Sequence, residues 1–566
     1  MNIRVLLKDN LFFILVIVFS IFAILPFFKS GFFIVHDDTQ VARIYEMGKT
    51  LSDGMFPPRW VSDLGYGFGY PIFNFYAPLP YLVGAFFLSL GFNVLIATKL
   101  VFVAVLLASA ISMFFLVKTF FGKEAGLVSS IVYMYFPYHA VNTYVRGDLS
   151  EAAAYAFLPL VFLGLSKTHY MVLKKENPKA FLAITAISLA LVILSHNLSA
   201  FMLFIFVFLF IIFSIIAGKF NKKLIFTYLL VLLIAFLLSA FYSLPAVFEM
   251  RFTNVDSLTK GGSLFSDHFV CPSQLWNSEW GFGGSTKGCI DGMSFKLGKI
   301  NILAAVLAFS LFIVGFKRMK HKLFVSLSFV CLFISFFLML NYSNFIWKLP
   351  FMEFLQFPWR FLNFSGLFLS IIIGFLFWQA RAIFSRNKVF IFIFIFITIF
   401  YNAKLFAPQG YTDRSAAFYT QDKYLKWTVS KISDEYLSKN FTKPKSPENL
   451  RDSVLEIVGG KGSVLNYSHK TQRSSVQLSL SEKSQIRANI AFFPAWEIRV
   501  DGKKTSYVAK DDGLYLNIPS GSHTLTAEFV ETPVERIGNA VSLIGVLALL
   551  IVIIGKLDII YGQKTS

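Results

Sequence analysis

Apolar runs of membrane-spanning length, or nearly so, recur along the chain and alternate with short polar stretches. An α-helix needs about 20 apolar residues to cross a bilayer, so the pattern predicts a mainly α-helical, polytopic membrane protein with about twelve spans. The predicted spans are 11–28, 95–117, 124–138, 151–165, 180–195, 197–217, 224–244, 300–316, 323–340, 360–378, 389–407 and 537–555. A further apolar stretch at 79–90 is too short to span and predicts an interfacial helix.

The pattern changes in the polar region 408–536, which from about residue 453 alternates apolar and polar positions as β-strands do. The predicted strands are 463–467, 475–480, 486–492, 496–500, 514–518 and 523–530. Asp501-Gly502 is a strong tight-turn signal between two of them. The spacing predicts a small β-sandwich.

These patterns divide the chain into three parts. Residues 1–407 form the predicted transmembrane domain, with large outer loops at 29–94 and 245–299. Residues 408–536 form a mainly β domain, and 537–566 form a final span with a cytoplasmic tail.

Composition excludes several classes of protein. Of the 566 residues, 56% are hydrophobic and 69 are Phe, whereas only 15% are charged; a soluble domain averages about 25% charged. A soluble globular protein, a disordered chain and a disulfide scaffold are therefore excluded. Three cysteines are too few for a cysteine-rich metal or redox protein. Cys271 and Cys289 share one predicted outer loop, where a disulfide and two free thiols remain open alternatives.

Taken by itself, the net charge of +20 suggests a protein that binds nucleic acid. The distribution of the charges along the chain tests this interpretation. Alternating loops put seven segments inside, and these hold 20 Lys or Arg against three acids. Region 408–536 carries +3 and the remainder is neutral, so the excess lies on one side, as the positive-inside rule requires. No basic stripe is left for nucleic acid. The first span resembles an uncleaved signal-anchor, so both termini are predicted to be cytoplasmic and the large loops and β domain extracytoplasmic.

The sharpest candidate chemistry is His36-Asp37-Asp38, directly after the first span on the predicted outer face. Two adjacent carboxylates repel each other, which raises at least one pKa and suits a general base. Asp38 is equally suited to cap a helix that begins at Thr39. From the pattern alone these alternatives weigh about the same. The pair could also hold a divalent metal ion, but a lone acidic pair is too little to assign one.

Three further outer segments carry polar candidates. Asp148 and Glu151 fit a capping box, while Arg146 beside them has no evident structural purpose. His196 lies in a turn between two spans, where a satisfied turn histidine is the simpler interpretation. Arg360 opens a span and could either extend to lipid headgroups or clamp a phosphate.

No Walker motif and no dinucleotide fingerprint in a soluble βαβ unit occurs in the sequence. A nucleotide-activated donor therefore has no visible site. A group transfer on the outer face would most simply use a donor already present in the lipid.

The architecture resembles the GT-C superfamily of lipid-dependent glycosyltransferases: a retained first span, an outer acidic pair, a helical stretch, more spans and a terminal outer domain. The segment from Asp37 to Glu46 is similar to the acidic-pair segment of protein mannosyltransferases and aminoarabinose transferases. Closer resemblance is to the membrane family labelled "6-pyruvoyl-tetrahydropterin synthase-related", and a more distant one to YfhO-type proteins. The shared motifs are His-Asp-Asp at 36–38, Gly-Tyr-Pro at 69–71, Arg-Gly-Asp-Leu-Ser-Glu at 146–151, His-Asn-Leu-Ser at 196–199, Phe-Pro-Trp-Arg at 357–360 and Phe-Pro-Ala-Trp…Asp-Gly-Lys at 493–503. The pterin label does not carry chemistry here, because the eight His are scattered without zinc-ligand spacing.

The GT-C resemblance implies transfer of a sugar from a polyprenyl-phosphate donor to a glycan, lipid or protein acceptor at the outer membrane surface. By this resemblance, Asp37 occupies the position of the general base and Asp38 that of a second catalytic acid. Asp148 occupies the position of a further acid in the substrate site. Arg146 and Arg360 are expected to bind the donor phosphate, with His196 also in the substrate site. The alternative is a non-enzymatic membrane protein, either a translocator of lipid-linked glycans or a scaffold for envelope assembly.

Overall fold

A computed structural model describes residues 3–255, 257, 263–381, 388–451 and 453–555 of the chain. Helices dominate up to about residue 405, and one long helix follows the β region. The helices of eight or more residues are α1 (Ile3–Ile24), α2 (Gln40–Ser52), α3 (Leu79–Ser89), α4 (Val94–Phe121), α5 (Lys123–Met134), α6 (Leu149–Leu173), α7 (Lys179–Ser195), α8 (Asn197–Ala217), α9 (Lys222–Phe248), α10 (Lys299–Gly315), α11 (Lys322–Met339), α12 (Leu362–Gln379), α13 (Val389–Asn402) and α14 (Pro533–Ile554).

Within the described residues, nine helices are long and apolar enough to cross a membrane, which confirms the predicted multi-pass helical class. Three of the twelve predicted spans are shorter helices instead, namely α5, α7 and α13. Helix α5 ends at Met134 because Pro137 follows, and a proline disfavours helical geometry in the residue before it. The predicted interfacial stretch forms α3, and the predicted tail at 556–566 lies outside the described residues.

Two helices form the centre of the bundle. In α6 and α12, 89% and 94% of the most apolar segment is buried, whereas in α10 and α14 the value is 17%. A helix that is apolar on all sides is buried on all sides, so α6 and α12 are enclosed by the others. Both central helices follow a short polar segment that holds candidate residues, 146–148 before α6 and 358–360 before α12.

The β region forms two antiparallel sheets, with a short pairing elsewhere. The strands are β1 (Phe32–Phe33), β2 (Tyr411–Thr412), β3 (Leu455–Gly459), β4 (Gly462–Lys470), β5 (Arg473–Leu480), β6 (Ser484–Ala488), β7 (Trp496–Val500), β8 (Lys503–Thr505), β9 (Val508–Lys510), β10 (Gly513–Ile518) and β11 (Gly521–Phe529). One sheet has the order β3-β6-β10-β9 and the other β4-β5-β11-β7-β8. Alternate residues of β5, β10 and β11 are buried, so each sheet has one buried face, as in a β-sandwich.

The strands β3–β11 are anchored to the segment between α2 and α3 through aromatic side chains and hydrogen bonds. Trp60 packs edge-on against Trp496 at 5.3 Å between ring centroids, and Phe493 contacts Phe75. The Asp53 carboxylate accepts hydrogen bonds from the backbone N–H and the hydroxyl of Thr471, both at 2.7 Å. The Phe-Pro-Ala-Trp motif at 493–496 therefore serves as a docking element.

The last helix packs closely along α9 through two glycines. A Cβ on Gly545 would lie 2.7 Å from the backbone of Leu237, and one on Gly538 would lie 2.8 Å from the backbone oxygen of Ala240. Small residues let two membrane helices approach closely enough for extensive van der Waals contact. Ser542, between the glycines, donates to the Leu237 carbonyl oxygen at 3.0 Å.

We expect Gly545→Leu to separate α14 from α9 and to lower the thermal unfolding midpoint of the detergent-solubilised protein by several degrees, because overpacking a close interface costs about 1–3 kcal/mol. The matched control is Val546→Leu, at a neighbouring position that is 45% exposed. Equal midpoints for the two variants would contradict the close packing of this helix pair.

Candidate functional site

A cavity of about 620 Å³ lies where four helices begin. The residues directly before α2, α6, α8 and α12 line it. Helix N-termini carry partial positive charge, so this arrangement favours a negatively charged ligand. Five of the six candidate residues line the cavity: Asp37, Arg146, Asp148, His196 and Arg360. Asp38 is absent from its lining.

Backbone pairing holds Asp37 beside Arg146. The N–H of His36 donates to Val145 O at 3.1 Å, and the N–H of Asp37 donates to Arg146 O at 2.9 Å. Gly147 makes this approach possible, because its φ is +68° and a Cβ there would lie 2.6 Å from the Val35 side chain. The Arg-Gly-Asp triplet is thus a turn whose glycine admits the neighbouring segment.

Arg146 is the hub of a buried charge cluster. Its Nη1 donates to Glu151 Oε2 at 2.7 Å and its Nη2 to Asp148 Oδ2 at 2.9 Å. Nη1 also contacts Asn142 and the Tyr138 hydroxyl. All of these groups are buried. A structural demand for a cation therefore exists at this position, because two buried carboxylates without one would be strongly destabilising.

Glu151 connects this cluster to α12. Its Oε1 accepts hydrogen bonds from Tyr138 Oη and Asn363 Nδ2, both at 2.7 Å, and Arg360 Nε lies 3.5 Å from its Oε2. Arg360 is buried, which contradicts the alternative that it extends to lipid headgroups. Its Nη1 donates to Leu355 O and to Gln356 Oε1.

The helix-capping alternatives are confirmed in part. Asp148 caps α6 by accepting the Glu151 N–H at 2.9 Å, but the Glu151 side chain turns to Arg146 instead of completing a capping box. His196 caps α8, since its Nδ1 accepts the Ser199 N–H at 3.2 Å. Asp38 is not the cap of α2, which begins at Gln40 after Thr39.

Asp38 faces a different group from Asp37. Its Oδ2 lies 3.3 Å from Arg414 Nη1, and burial raises its pKa to about 6 against the opposing effect of Arg414. Burial, with a smaller effect of Asp148, also raises the pKa of Asp37. Burial is the largest single effect on Asp148 and opposes its ionisation, but Arg146, His196, the Glu151 N–H and Arg360 together outweigh it and lower that pKa to about 2. Asp148 and Asp37 therefore differ, because the surroundings of Asp148 hold it ionised while burial favours the protonated form of Asp37.

One three-residue group among the described residues has the donor types and spacing of a metal site: Asp148, Glu151 and His196. The hydrogen bonds around it do not fit a metal ion. Arg146 already holds one oxygen of each carboxylate, Asp148 Oδ1 caps α6, and Glu151 Oε1 has two donors. A divalent ion would have to displace the guanidinium, which already supplies the positive charge there.

Sequence inspection overlooked two charged residues of the cavity, Arg43 and Glu435. Arg43 projects from α2 with its guanidinium 4.0 Å from the centre of the Tyr76 ring, and its Nη2 donates to Ser433 Oγ at 2.9 Å. The signal available in the sequence was an arginine between the apolar residues Ala42 and Ile44. Glu435 lies in a segment without hydrophobic periodicity, so the sequence contained no signal that would have identified it.

A cross-linked loop forms another wall. His268, Gly284, Ser285 and Met293 line the cavity, and the structure contains the disulfide between Cys271 and Cys289. Trp359 Nε1 donates to Ser285 Oγ at 2.9 Å, and a ring nitrogen of His36 lies 2.8 Å from Phe282 O. None of the cavity-lining residues among those described belongs to strands β3–β11. Strands β3–β11 therefore do not face the cavity and support it indirectly, through the contact of Phe493 with Phe75. Ser433 and Glu435, which precede β3, do line it.

The family described as "6-pyruvoyl-tetrahydropterin synthase related domain; membrane protein" matches residues 73–407, more than half of the chain. The match includes Arg146, Asp148, His196 and Arg360 and begins after Asp37. An uncharacterized protein from Lactococcus lactis subsp. cremoris (strain MG1363) is 27% identical over 335 residues, 56% of this chain and 52% of that protein. The chain thus spans about half the length of this curated relative.

Solved structures with a similar arrangement include an oligosaccharyltransferase and an arabinofuranosyltransferase. The archaeal oligosaccharyltransferase AglB from Archaeoglobus fulgidus, in complex with an inhibitory peptide and a dolichol-phosphate, aligns with a TM-score of 0.46 and 12% identity over 71% of this chain and 56% of that one. The arabinofuranosyltransferase AftD from Mycobacteria aligns with a TM-score of 0.43 and 12% identity over 72% and 28%. At these values the likeness assigns no activity to this chain.

We expect Arg146→Gln to lower the free energy of unfolding by about 3–5 kcal/mol, because it leaves Asp148 and Glu151 buried without their cation. Thermal unfolding in detergent measures the loss, with Arg499→Gln on β7 as the matched arginine control. Adding Glu151→Gln should restore part of the stability, since it removes one uncompensated charge. An unchanged midpoint in Arg146→Gln would show that the cluster does not stabilise the fold.

Proposed function

Because the chain belongs to the membrane-protein family described as 6-pyruvoyl-tetrahydropterin synthase related domain, we propose a reaction at a membrane surface, the transfer of a sugar from a polyprenyl-phosphate donor to an acceptor hydroxyl. One observation carries the proposal. A carboxylate with a raised pKa, Asp37, shares one cavity with the guanidinium groups of Arg43, Arg146 and Arg360 at the ends of the spanning helices.

Asp37 is the proposed general base. Among the described residues no side chain or N–H donates a hydrogen bond to its carboxylate, which leaves both oxygens to the substrate. Asp148 is less suited, because Arg146 and the α6 N-terminus hold it as an ionised carboxylate. A base with a raised pKa takes a proton more effectively near neutral pH.

The proposed step is a single displacement with inversion. Asp37 takes the proton of the acceptor hydroxyl while the acceptor oxygen forms a bond to the anomeric carbon. The bond from that carbon to the phosphate oxygen breaks, and polyprenyl phosphate leaves with the electron pair. Arg43, Arg360 and the helix N-termini stabilise the negative charge that develops on the leaving group. No step requires a metal ion.

We place the cavity on the extracytoplasmic face, together with the large loops and the β domain. The support is the charge distribution, since the segments at the opposite ends of the spans carry nearly all of the excess Lys and Arg. The donor would then enter from the outer leaflet.

The experiment is incubation of the purified, full-length protein with a panel of polyprenyl-phosphate sugars. Release or transfer of a sugar supports the enzyme. Binding of lipid-linked sugars without turnover, together with their movement across a vesicle membrane, would favour the translocator, and neither binding nor turnover would favour the scaffold.

We expect Asp37→Asn to reduce transfer by about 10²–10⁴-fold, the usual contribution of a general base, while expression and the thermal midpoint stay near those of the wild type. Asp38→Asn is the matched control, because this adjacent acid does not line the cavity. We expect a loss below tenfold for Asp38→Asn. If Asp37→Asn keeps near-normal turnover, the assignment of the base is wrong.

The pH dependence separates the two acids further. Transfer requires Asp37 in its ionised form, and burial raises its pKa, so the rate should fall as pH decreases through a value above the ordinary carboxyl range. The pKa of Asp38 is also raised, to about 6. A rate profile measured on Asp38→Asn should keep the acidic limb, and its disappearance in that variant would assign the limb to Asp38.

A further inference from the structure

The cavity contains three arginines whose positive charges are compensated to different extents. Arg146 contacts two carboxylates, at 2.7 and 2.9 Å. Arg360 has one carboxylate at 3.5 Å. Among the described residues no carboxylate oxygen lies within 4.0 Å of Arg43, although the residue is only 5% exposed.

The contacts of Arg43 are neutral. Its Nη2 donates to the Ser433 hydroxyl at 2.9 Å, its Nη1 lies 3.4 Å from the Tyr81 hydroxyl, and its guanidinium stacks over Tyr76. Its Nε is buried and has no hydrogen-bond acceptor among the described residues. A buried guanidinium with a donor left over is expensive unless a further group satisfies it.

We propose that Arg43 is the principal anchor for the phosphate of the lipid-linked ligand, and that Arg146, whose charge is already compensated, is structural. This rests on the proposed function in naming a lipid phosphate as the ligand. The guanidinium fork matches a phosphate in geometry and charge. Stacking on Tyr76 fixes the plane of the guanidinium beside the cavity that Arg43 lines.

Glu435 opposes the binding of an anion to Arg43. It lines the same cavity, and Ser433 Oγ, which accepts from Arg43, donates to Glu435 Oε1 at 3.3 Å. A carboxylate at this position competes with an incoming anion for Arg43 and repels it. The same acid is therefore predicted to weaken phosphate binding. Removing its charge should strengthen binding, whereas removing the charge of Arg43 should weaken it.

The experiment measures binding by calorimetry to the full chain in nanodiscs. The probes are geranylgeranyl phosphate, the neutral alcohol geranylgeraniol and inorganic phosphate, which separate a lipid phosphate from a free one. We expect Arg43→Gln to raise the Kd for geranylgeranyl phosphate by about tenfold to hundredfold, the loss of one charged hydrogen bond, and to leave geranylgeraniol binding unchanged. Arg43→Lys should give an intermediate Kd, and Glu435→Gln should lower it.

Arg499→Gln on β7 serves as the control and should bind like the wild type. Wild-type affinity in Arg43→Gln would overturn the proposal, and so would an unchanged or raised Kd in Glu435→Gln. Should Arg43→Gln fail to fold, Arg43→Lys and Glu435→Gln decide the question. Equal binding of inorganic and lipid phosphate would overturn the assignment to a lipid. Sugar transfer that depends on Asp37 would support the proposed function under any of these results.

Discussion

The pairing of Arg146 with Asp148 and Glu151 is the constraint on which the cavity depends. Each of the three groups would be costly to bury alone, and together they are satisfied by short hydrogen bonds. The cluster fixes the start of α6, and Asn363 and Arg360 bring the start of α12 to the same point. Because these helices are the two most buried spans, the polar cluster determines how the centre of the bundle is assembled.

The charged residues of the cavity fall into two sets, one paired within the protein and one without an oppositely charged hydrogen-bond partner among the described residues. Arg146 and Arg360 together compensate Asp148 and Glu151, so this cluster carries little net charge toward a ligand. Asp37 and Arg43 line the cavity from one segment, directly before and within α2, and the Asp37 carboxylate accepts no hydrogen bond among the described residues. Active sites commonly combine a rigid set of satisfied groups with a few reactive ones. We infer that the structural arginine orients the segment from which the reactive groups project, through the backbone pairing of Asp37 with Arg146.

The sequence predicted the fold class and much of the strand pattern, because burial in a bilayer or between two sheets imposes regular spacing. Strand β7 has the predicted bounds, Trp496–Val500. Five strands were missed, and four of them are only two or three residues long: β1, β2, β3, β8 and β9. The resemblance to the 6-pyruvoyl-tetrahydropterin synthase-related family is confirmed.

The common location of Asp37, Arg146 and Arg360 was anticipated, since all three flank spans on one predicted side. Their partners were not, because hydrogen bonds between residues 212 positions apart, such as Asn363 to Glu151, leave no local pattern. The catalytic and binding roles of these residues remain predictions.

The walls of the cavity lie far apart along the chain, and this has a consequence for biosynthesis. Arg43 is translated long before Ser433, and Arg59 long before Asn539 and Glu535, its partners in the last spanning helix. While the ribosome is still adding the middle of the protein, Arg43 can contact Tyr76 and Tyr81, and Arg59 can contact Asn74, but both guanidinium groups lack their C-terminal partners. The first loop therefore cannot reach its native burial until translation is nearly complete, and docking of the C-terminal helix is the step that completes the assembly.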